Sequence, residues 1–240
     1  MRRMLIPLCL LALTGPLSAA EPPVVTIDLG SRQAEGRPTR EGFTHTGGGN
    51  IDVQQPSSDT LVITMTGVAV AGGHPCKESL AALSFDLVQD FEISFAKPNK
   101  KQAKLTIEAR VIGLLRSHKH GAASINCPAH ASVELCGQVG GPTLLEVSLP
   151  GRSVAGGENV SVNDRQGPIP ALVAAGKYTL RQQFGIQASH PKKALPCKAA
   201  SAEFAPDPAL DPLWISAFEP FHGAAKKDFG FQVTLKVAPE

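Results

Sequence analysis

The sequence lacks the short motifs by which the common enzyme classes are recognised. It contains no Gly-x-Ser-x-Gly turn and no His-Glu-x-x-His pair, and no Ser-x-x-Lys stands in a setting typical of a nucleophile. Glycines 47–49 follow no strand-to-helix pattern, so this run indicates a turn rather than a phosphate-binding loop. These absences favour a binding or structural role. A hydrolase whose catalytic residues meet only in the folded chain is the enzymatic alternative.

The chain also lacks an excess of either charge. It has 23 Lys and Arg against 21 Asp and Glu, and the difference is Arg2 and Arg3 at the N-terminus. Without them the protein is formally neutral, so nothing steers it toward nucleic acid or an anionic membrane surface. A membrane span needs about 20 apolar residues in a row, and no later segment supplies them. We therefore expect neither a nucleic-acid partner nor a membrane span.

The first twenty residues differ from the rest. Arg2 and Arg3 precede an apolar run from Leu5 to Leu13, and small residues end the stretch at Ala19 and Ala20. This order is typical of a secretory signal peptide. We predict a signal peptide at 1–20 and one domain at 21–240, secreted or periplasmic. The sequence leaves the oligomeric state open.

Four cysteines follow the predicted signal peptide: Cys76, Cys127, Cys136 and Cys197. Even numbers of cysteines in exported proteins generally form disulfides. Cys127 and Cys136 flank a predicted turn at 128–131, so we expect them to join two strands of a hairpin. Cys76 and Cys197, each within Pro-Cys-Lys, would form the second bond. The alternative is a zinc site, although the closely spaced cysteine pairs of such sites are missing.

Alternating apolar and polar residues are the clearest structural signal. Leu83 to Ala96 places Leu, Phe and Ile at odd positions and mostly polar residues at even ones, and Lys104 to Leu115 repeats the pattern. Such alternation predicts strands with one face in the core. Because turn residues separate the two segments, we predict that they form an antiparallel hairpin, with Arg110 beside Asp90 or Glu92.

Short strand-like runs cover most of the remaining chain, separated by Gly and Pro. Many short strands with frequent turn residues predict an all-β fold, an antiparallel β-sandwich of roughly 8–11 strands that is immunoglobulin-like or jelly-roll-like. The segments 31–49 and 154–174 are rich in Gly, Pro and polar residues, so we expect long loops there. A short helical turn could lie between 209 and 218.

Gly176-Lys177-Tyr178-Thr179-Leu180 resembles the Gly-x-Tyr-x-Leu entry to a late strand in immunoglobulin-like and other extracellular β-sandwich modules. The resemblance covers fewer than ten residues. It implies a sandwich in which the hydroxyl of Tyr178 ties a corner, and it implies nothing about activity.

Histidines offer the main candidates for chemistry. His118 and His120 would point the same way in an extended segment, and with His130 or His74 they could bind copper or zinc. The alternative is a solvated basic turn, because no nearby carboxylate orients the rings. Asp90 and Glu92, about 6.6 Å apart along a strand, have a separation that glycoside hydrolases use. The usual interpretation of such a pair is the polar face of a strand.

Trp214 is the only tryptophan in the chain, and it lies in a Pro-rich segment with several Phe residues. An exposed Trp there could bind a glycan or a protein partner, and the alternative is that it fills one end of the core. The sequence thus predicts a non-enzymatic exported module without a cofactor, with a copper or zinc protein as the second hypothesis and a hydrolase as the third.

Overall fold

The computed structural model describes residues 25–42, 44–72, 78–96, 102–117, 120–136, 142–192, 199–204 and 229–240. The predicted signal peptide lies outside these residues. Antiparallel strands account for most of the described chain: β1 (Val25–Glu41), β2 (Thr44–Ser57), β3 (Thr60–Gly72), β4 (Ser79–Phe95), β5 (Ala103–Arg116), β6 (Ala122–Leu135), β7 (Thr143–Leu149), β8 (Ser153–Ala155), β9 (Asn159–Val173), β10 (Gly176–His190), β11 (Ala199–Phe204) and β12 (Gly230–Pro239).

The strands form two sheets. The first sheet has the order β1-β4-β10-β6-β7, and β8 pairs with the N-terminal part of β6. In the second sheet β2 pairs with β3, β11 and β12 both lie between β3 and β5, and β9 is the last strand. Both sheets pack on one hydrophobic core. The predicted antiparallel β-sandwich is therefore confirmed, with twelve described strands instead of 8–11.

Aromatic rings from both sheets meet in the middle of the core. Phe184, fully buried on β10, lies 6.1 Å from Phe85 of its own sheet between ring centroids. Its ring is also 5.4 Å from Phe204 and 5.5 Å from Phe231, which belong to the second sheet. Offset and edge-to-face contacts at these distances are favourable. Phe184 therefore joins the two layers.

The predicted hairpin between Leu83–Ala96 and Lys104–Leu115 is wrong. β4 lies in the first sheet between β1 and β10, whereas β5 lies in the second sheet beside β12 and β9. Alternation specifies which face of a strand is buried, but not which strand is its neighbour. Both strands bury their odd-numbered residues in the same core from opposite sides, as the alternation predicted.

The long loops predicted at 31–49 and 154–174 are largely strands. β1 and β2 cover most of the first segment, and β9 covers much of the second. The two longest of these, β1 and β9, are edge strands, and β1 is exposed from Asp28 to its end. Edge strands tolerate Gly and Pro because one side of their backbone pairs with no neighbour. Composition alone therefore mistook them for loops.

The turn predicted at residues 128–131 is also wrong, and with it the disulfide between Cys127 and Cys136. β6 runs through these residues without reversing. Cys127 lies opposite Gly185 of β10, and the Cys136 backbone N–H bonds to the Lys177 carbonyl oxygen. At about 3.3 Å per residue of β10 these positions are ~26 Å apart, far beyond the reach of a disulfide. Both thiols are free.

Tyr178 ties a corner of the sandwich, as its sequence context implied. Its hydroxyl donates a hydrogen bond to the Ala174 carbonyl oxygen at 2.8 Å. The ring is buried against Phe91, with 5.7 Å between centroids. The bond fixes the tight connection from β9, which ends at Val173, into β10.

Gln182 is an exception in the core. It faces inward from β10 between Leu87 and Ala131 of the neighbouring strands and is fully buried. Within the described part of the chain neither its Oε1 nor its Nε2 has a hydrogen-bond partner. Leaving a buried polar group unpaired costs about 1–3 kcal/mol.

We therefore expect Gln182→Leu to raise the free energy of unfolding by about 1–3 kcal/mol, since leucine fills a similar volume without polar atoms. Urea unfolding of the purified protein measures this change. Gln183→Leu is the control on the same strand, because Gln183 is exposed and should alter stability by no more than about 0.5 kcal/mol. A loss of stability in Gln182→Leu would show that the amide is paired.

Candidate ligand-binding groove

Of the histidines predicted to bind metal, the structure describes His120 and His130, and it does not bring these two together. His118 and His74 lie outside the described residues, while His120 is exposed in the turn before β6. His130 lies within β6, opposite Gln183. Ala122, at the start of β6, pairs with Ser189 of β10, and His130 pairs with Gln183. These two partners are six positions apart on β10, so Ala122 and His130 are about 20 Å apart. In the described ranges no group of three His, Cys, Asp or Glu side chains could hold a metal ion.

His130 instead belongs to the outer face of the first sheet. Its Nε2 lies 3.1 Å from Glu146 Oε1. Cys127 is on the same strand, where burial, with a smaller contribution from Asp86, raises the pKa of its thiol. A nucleophilic cysteine needs the opposite shift, because the thiolate is the reactive form. Burial of the Cys127 thiol therefore disfavours its reactive thiolate form.

Asp90 of β4, one of the two carboxylates considered for glycoside hydrolysis, is bonded to two neighbouring hydroxyls. Asp90 accepts hydrogen bonds from the hydroxyls of Ser31 and Thr179, and these two bonds lower the pKa of its carboxyl. A carboxylate held ionised cannot serve as a general acid near neutral pH. Arg110, which the sequence placed beside Asp90, lies in the other sheet. The polar-face interpretation of Asp90 and Glu92 fits this geometry.

A groove of about 320 Å³ crosses the outer face of the second sheet. Four adjacent strands, β2, β3, β12 and β5, supply its walls. The strand register places Asp52, Thr64, Gln232 and Arg110 in one row across these strands. The groove is lined by Asn50, Asp52, Gln54, Val62, Thr64, Thr66, Arg110, Ile112, Phe229, Gly230 and Gln232.

Gly230 forms the floor of the groove at the start of β12. Its φ is +136°, a conformation that residues with a Cβ rarely adopt. A Cβ at this position would lie 2.8 Å from the Met65 carbonyl oxygen and 3.0 Å from Thr66 Cγ2. The position therefore carries no side chain, and a depression remains between Thr66 on β3 and Ile112 on β5.

The groove combines two opposite charges with neutral polar groups. Asp52 and Arg110 occupy the ends of the row, three strand spacings or about 14 Å apart. Gln54 Nε2 donates to Asp52 Oδ2 at 2.5 Å, and Arg110 Nη2 lies 3.4 Å from Asn163 Oδ1. Hydroxyls and amides lie between the charges. Amide and hydroxyl groups can donate and accept hydrogen bonds at the same time.

The sequence did not predict this groove, although its polar faces were visible. Alternation marked Arg110 as an outward-facing residue of β5, and Gln232 of β12 lies opposite it. Which polar faces lie side by side depends on strand order, which alternation does not contain. Asn50, Asp52 and Gln54 were missed altogether, because β2 was not recognised as a strand.

The remaining predicted site residues, Cys76, Cys197 and Trp214, lie outside the described residues. Among the residues that the structure does describe, none forms a helix of the length and apolar character needed to cross a membrane.

Comparisons with known proteins add no relative to this picture. No protein-family model matches the chain, and no curated protein matches it significantly. The function has to be argued from the groove itself.

Proposed function

We propose that this protein is an exported, non-enzymatic β-sandwich module that binds a carbohydrate in the groove of the second sheet. The row of Asp52, Thr64, Gln232 and Arg110 across four paired strands carries the proposal. The volume of about 320 Å³ lies within the range of small-molecule sites, roughly 300–1,000 Å³. Side chains on rigid strands are also held in place before the ligand arrives, which lowers the cost of binding.

Sugar hydroxyls suit the chemistry of this lining. Each hydroxyl donates one hydrogen bond and accepts others, and the amides of Asn50, Gln54 and Gln232 do the same. The Arg110 guanidinium and the Asp52 carboxylate can each bond two neighbouring hydroxyls, since both groups are planar and two-pronged. Val62 adds apolar surface for the C–H face of a sugar ring, beside the largely buried Ile112 and Phe229.

Other ligand classes fit the lining less well. Among the described residues that line the groove, Arg110 is the single cation and Asp52 opposes it, so a nucleic-acid backbone would gain little there. Protein interfaces usually depend on aromatic anchors in their centre. In the described part of the lining Phe229 is the one aromatic residue, and it is almost completely buried. A protein partner is therefore the second candidate.

The proposal includes one disulfide, between Cys76 and Cys197. Gly72 pairs with Ala199 in the second sheet, and Ser79 pairs with His190 in the first. Connection 73–78 leads from Gly72 to Ser79, and connection 191–198 leads from His190 to Ala199. The residues that flank the two connections are therefore strand partners at one end of the sandwich. Each connection contains one of the two cysteines. An oxidising compartment outside the cytoplasm, to which the predicted signal peptide would deliver the chain, supports such a bond.

Replacing Arg110 by methionine tests the groove. The change keeps the apolar stem and removes the guanidinium, so we expect roughly 10–100-fold weaker binding of an oligosaccharide, the effect of losing a charge-assisted hydrogen bond. The probes are a panel of soluble neutral and uronate-containing oligosaccharides, screened first against the parent protein. Titration calorimetry of both proteins with the tightest binder measures the loss.

Arg165→Met is the matched control. Arg165 is the strand partner of Arg110 on β9, but it pairs with Glu108 at 2.7 Å and does not line the groove. We expect the Arg165→Met variant to bind the same oligosaccharide with the affinity of the parent protein. Equal affinities for parent protein and Arg110→Met would place the ligand elsewhere. If no oligosaccharide in the panel bound the parent protein, the carbohydrate proposal would be wrong.

A further inference from the structure

Arg110 is a cation without an ionic partner in the described part of the chain. Its guanidinium carries five N–H donors, of which one makes a hydrogen bond of 3.4 Å to Asn163 Oδ1. Glu108, two residues away on the same strand face, binds Arg165 instead, at 2.7 Å. Other described arginines do pair with a carboxylate: Arg37, Arg116, Arg152, Arg165 and Arg181. The Arg110 guanidinium therefore keeps most of its donors for a ligand in the groove.

Asp52 places a negative charge at the opposite end of the groove. Its carboxylate accepts the hydrogen bond from Gln54 Nε2 and forms no ion pair with another described residue. Three strand spacings, about 14 Å, separate it from Arg110, too far for the two charges to bind each other. An anionic group of a ligand is therefore attracted at the Arg110 end of the groove and repelled at the Asp52 end.

The length of the row and its free guanidinium restrict the ligand further. Bonds of about 1.5 Å make a six-membered ring much shorter than the row, so a ligand that reaches both charges contains more than one sugar ring. The two-pronged guanidinium matches the two oxygens of a carboxylate better than it matches single hydroxyls. Gly230, next to Gln232 on the outer face of β12, leaves a depression beside Arg110. The ring that carries the carboxylate therefore has room there.

We infer that the groove selects an acidic oligosaccharide, with the carboxylate of a uronate ring on Arg110 and a neutral ring beside Asp52. The inference rests on the proposed function, to which it adds the charge and the direction of the ligand. Thr64 and Gln232 lie between the two charges, where they can bond the hydroxyls of the sugar chain. A chain with a carboxylate on every ring fits less well, because one carboxylate would face Asp52.

The acid and the methyl ester of one oligosaccharide test this selection without any variant. The probes are the tetrasaccharides of hyaluronan and of unsulfated chondroitin, in which uronate and neutral rings alternate, and the methyl esters of both. Methylation removes the charge and leaves the rings and linkages unchanged. By titration calorimetry we expect the parent protein to bind at least one acid about tenfold or more tightly than its ester, the effect of one charge-assisted contact.

Three variants assign the preference to the two ends of the groove. In Arg110→Met the acid and the ester should bind within about twofold of each other, because the guanidinium is gone. Lys236→Met is the control and should keep the preference: Lys236 is exposed on the same face of β12, does not line the groove and is four residues from Gln232. Asp52→Asn should bind trigalacturonate, with a carboxylate on each ring, about threefold more tightly than the parent protein does.

Equal affinities of the parent protein for each acid and its ester would overturn the inference and leave the proposed function intact. A neutral oligosaccharide that binds more tightly than either acid would do the same. A preference for the acid that persists in Arg110→Met would contradict the place of the carboxylate, and an unchanged trigalacturonate affinity in Asp52→Asn would contradict the neutral ring beside Asp52. A parent protein that binds neither acidic nor neutral oligosaccharides would refute the proposed function, and the inference with it.

Discussion

Replacing Phe184 by alanine is expected to lower the free energy of unfolding by about 3–5 kcal/mol, which is the usual cost of removing a buried aromatic side chain. Phe184 is fully buried on a central strand of the first sheet. Its ring contacts Phe85 within its own sheet and Phe204 and Phe231 of the other sheet. The alanine variant therefore loses ring contacts in both layers and leaves a cavity where they meet.

This loss is large compared with the total stability of a typical domain, about 5–15 kcal/mol. Urea unfolding followed by far-ultraviolet circular dichroism measures it. Leu172→Ala is the control, because Leu172 is 55% exposed on β9 and its truncation should cost no more than about 0.5 kcal/mol. A cost below about 1.5 kcal/mol for Phe184→Ala would mean that the two sheets are not held together at this ring.

Breaking the proposed Cys76–Cys197 disulfide should have a comparable effect. A bond that closes a loop of more than 100 residues stabilises a protein by about 5 kcal/mol in the chain-entropy model, and measured losses are commonly 2–5 kcal/mol. We expect a loss of this size when both cysteines are replaced by serine. Urea unfolding of the oxidised parent protein and the double variant measures the difference.

Cys136→Ser provides the control, since Cys136 is an exposed free thiol and its replacement should leave stability within about 0.5 kcal/mol of the parent protein. Peptide mapping of the oxidised protein identifies the bond directly. It should show the peptides of Cys76 and Cys197 linked, with Cys127 and Cys136 open to alkylation. Alkylation of all four thiols, or a peptide linking Cys127 to Cys136, would contradict the assignment.

The buried faces of the strands could be predicted from the sequence because each strand carries that information locally. The odd-numbered residues of β4 and β5 are buried as their alternation required. Strand partners depend on contacts between residues far apart in the chain, and so β4 and β5 were wrongly joined in a hairpin. Edge strands such as β2 were missed because a strand with one free edge can contain Gly and polar residues.

The candidate site was beyond sequence reasoning for the same reason. Asp52 and Arg110 are separated by a long stretch of chain, and only the order β2-β3-β12-β5 places them in one row. The predicted site residues followed local patterns instead. His120 and His130 are near in sequence, but the extended course of β6 separates them. Residues that are ten positions apart along an extended chain lie about 33 Å apart, so nearness in sequence does not bring His120 and His130 together.

The central position of β12 constrains when the protein can fold during its synthesis. Residues 230–239 fill the gap between β3 and β5, and both of those strands are made much earlier. Until the ribosome has produced this segment, β3 and β5 present unpaired backbone edges that could join other chains. We therefore expect nascent chains that stop before residue 230 to remain dependent on chaperones.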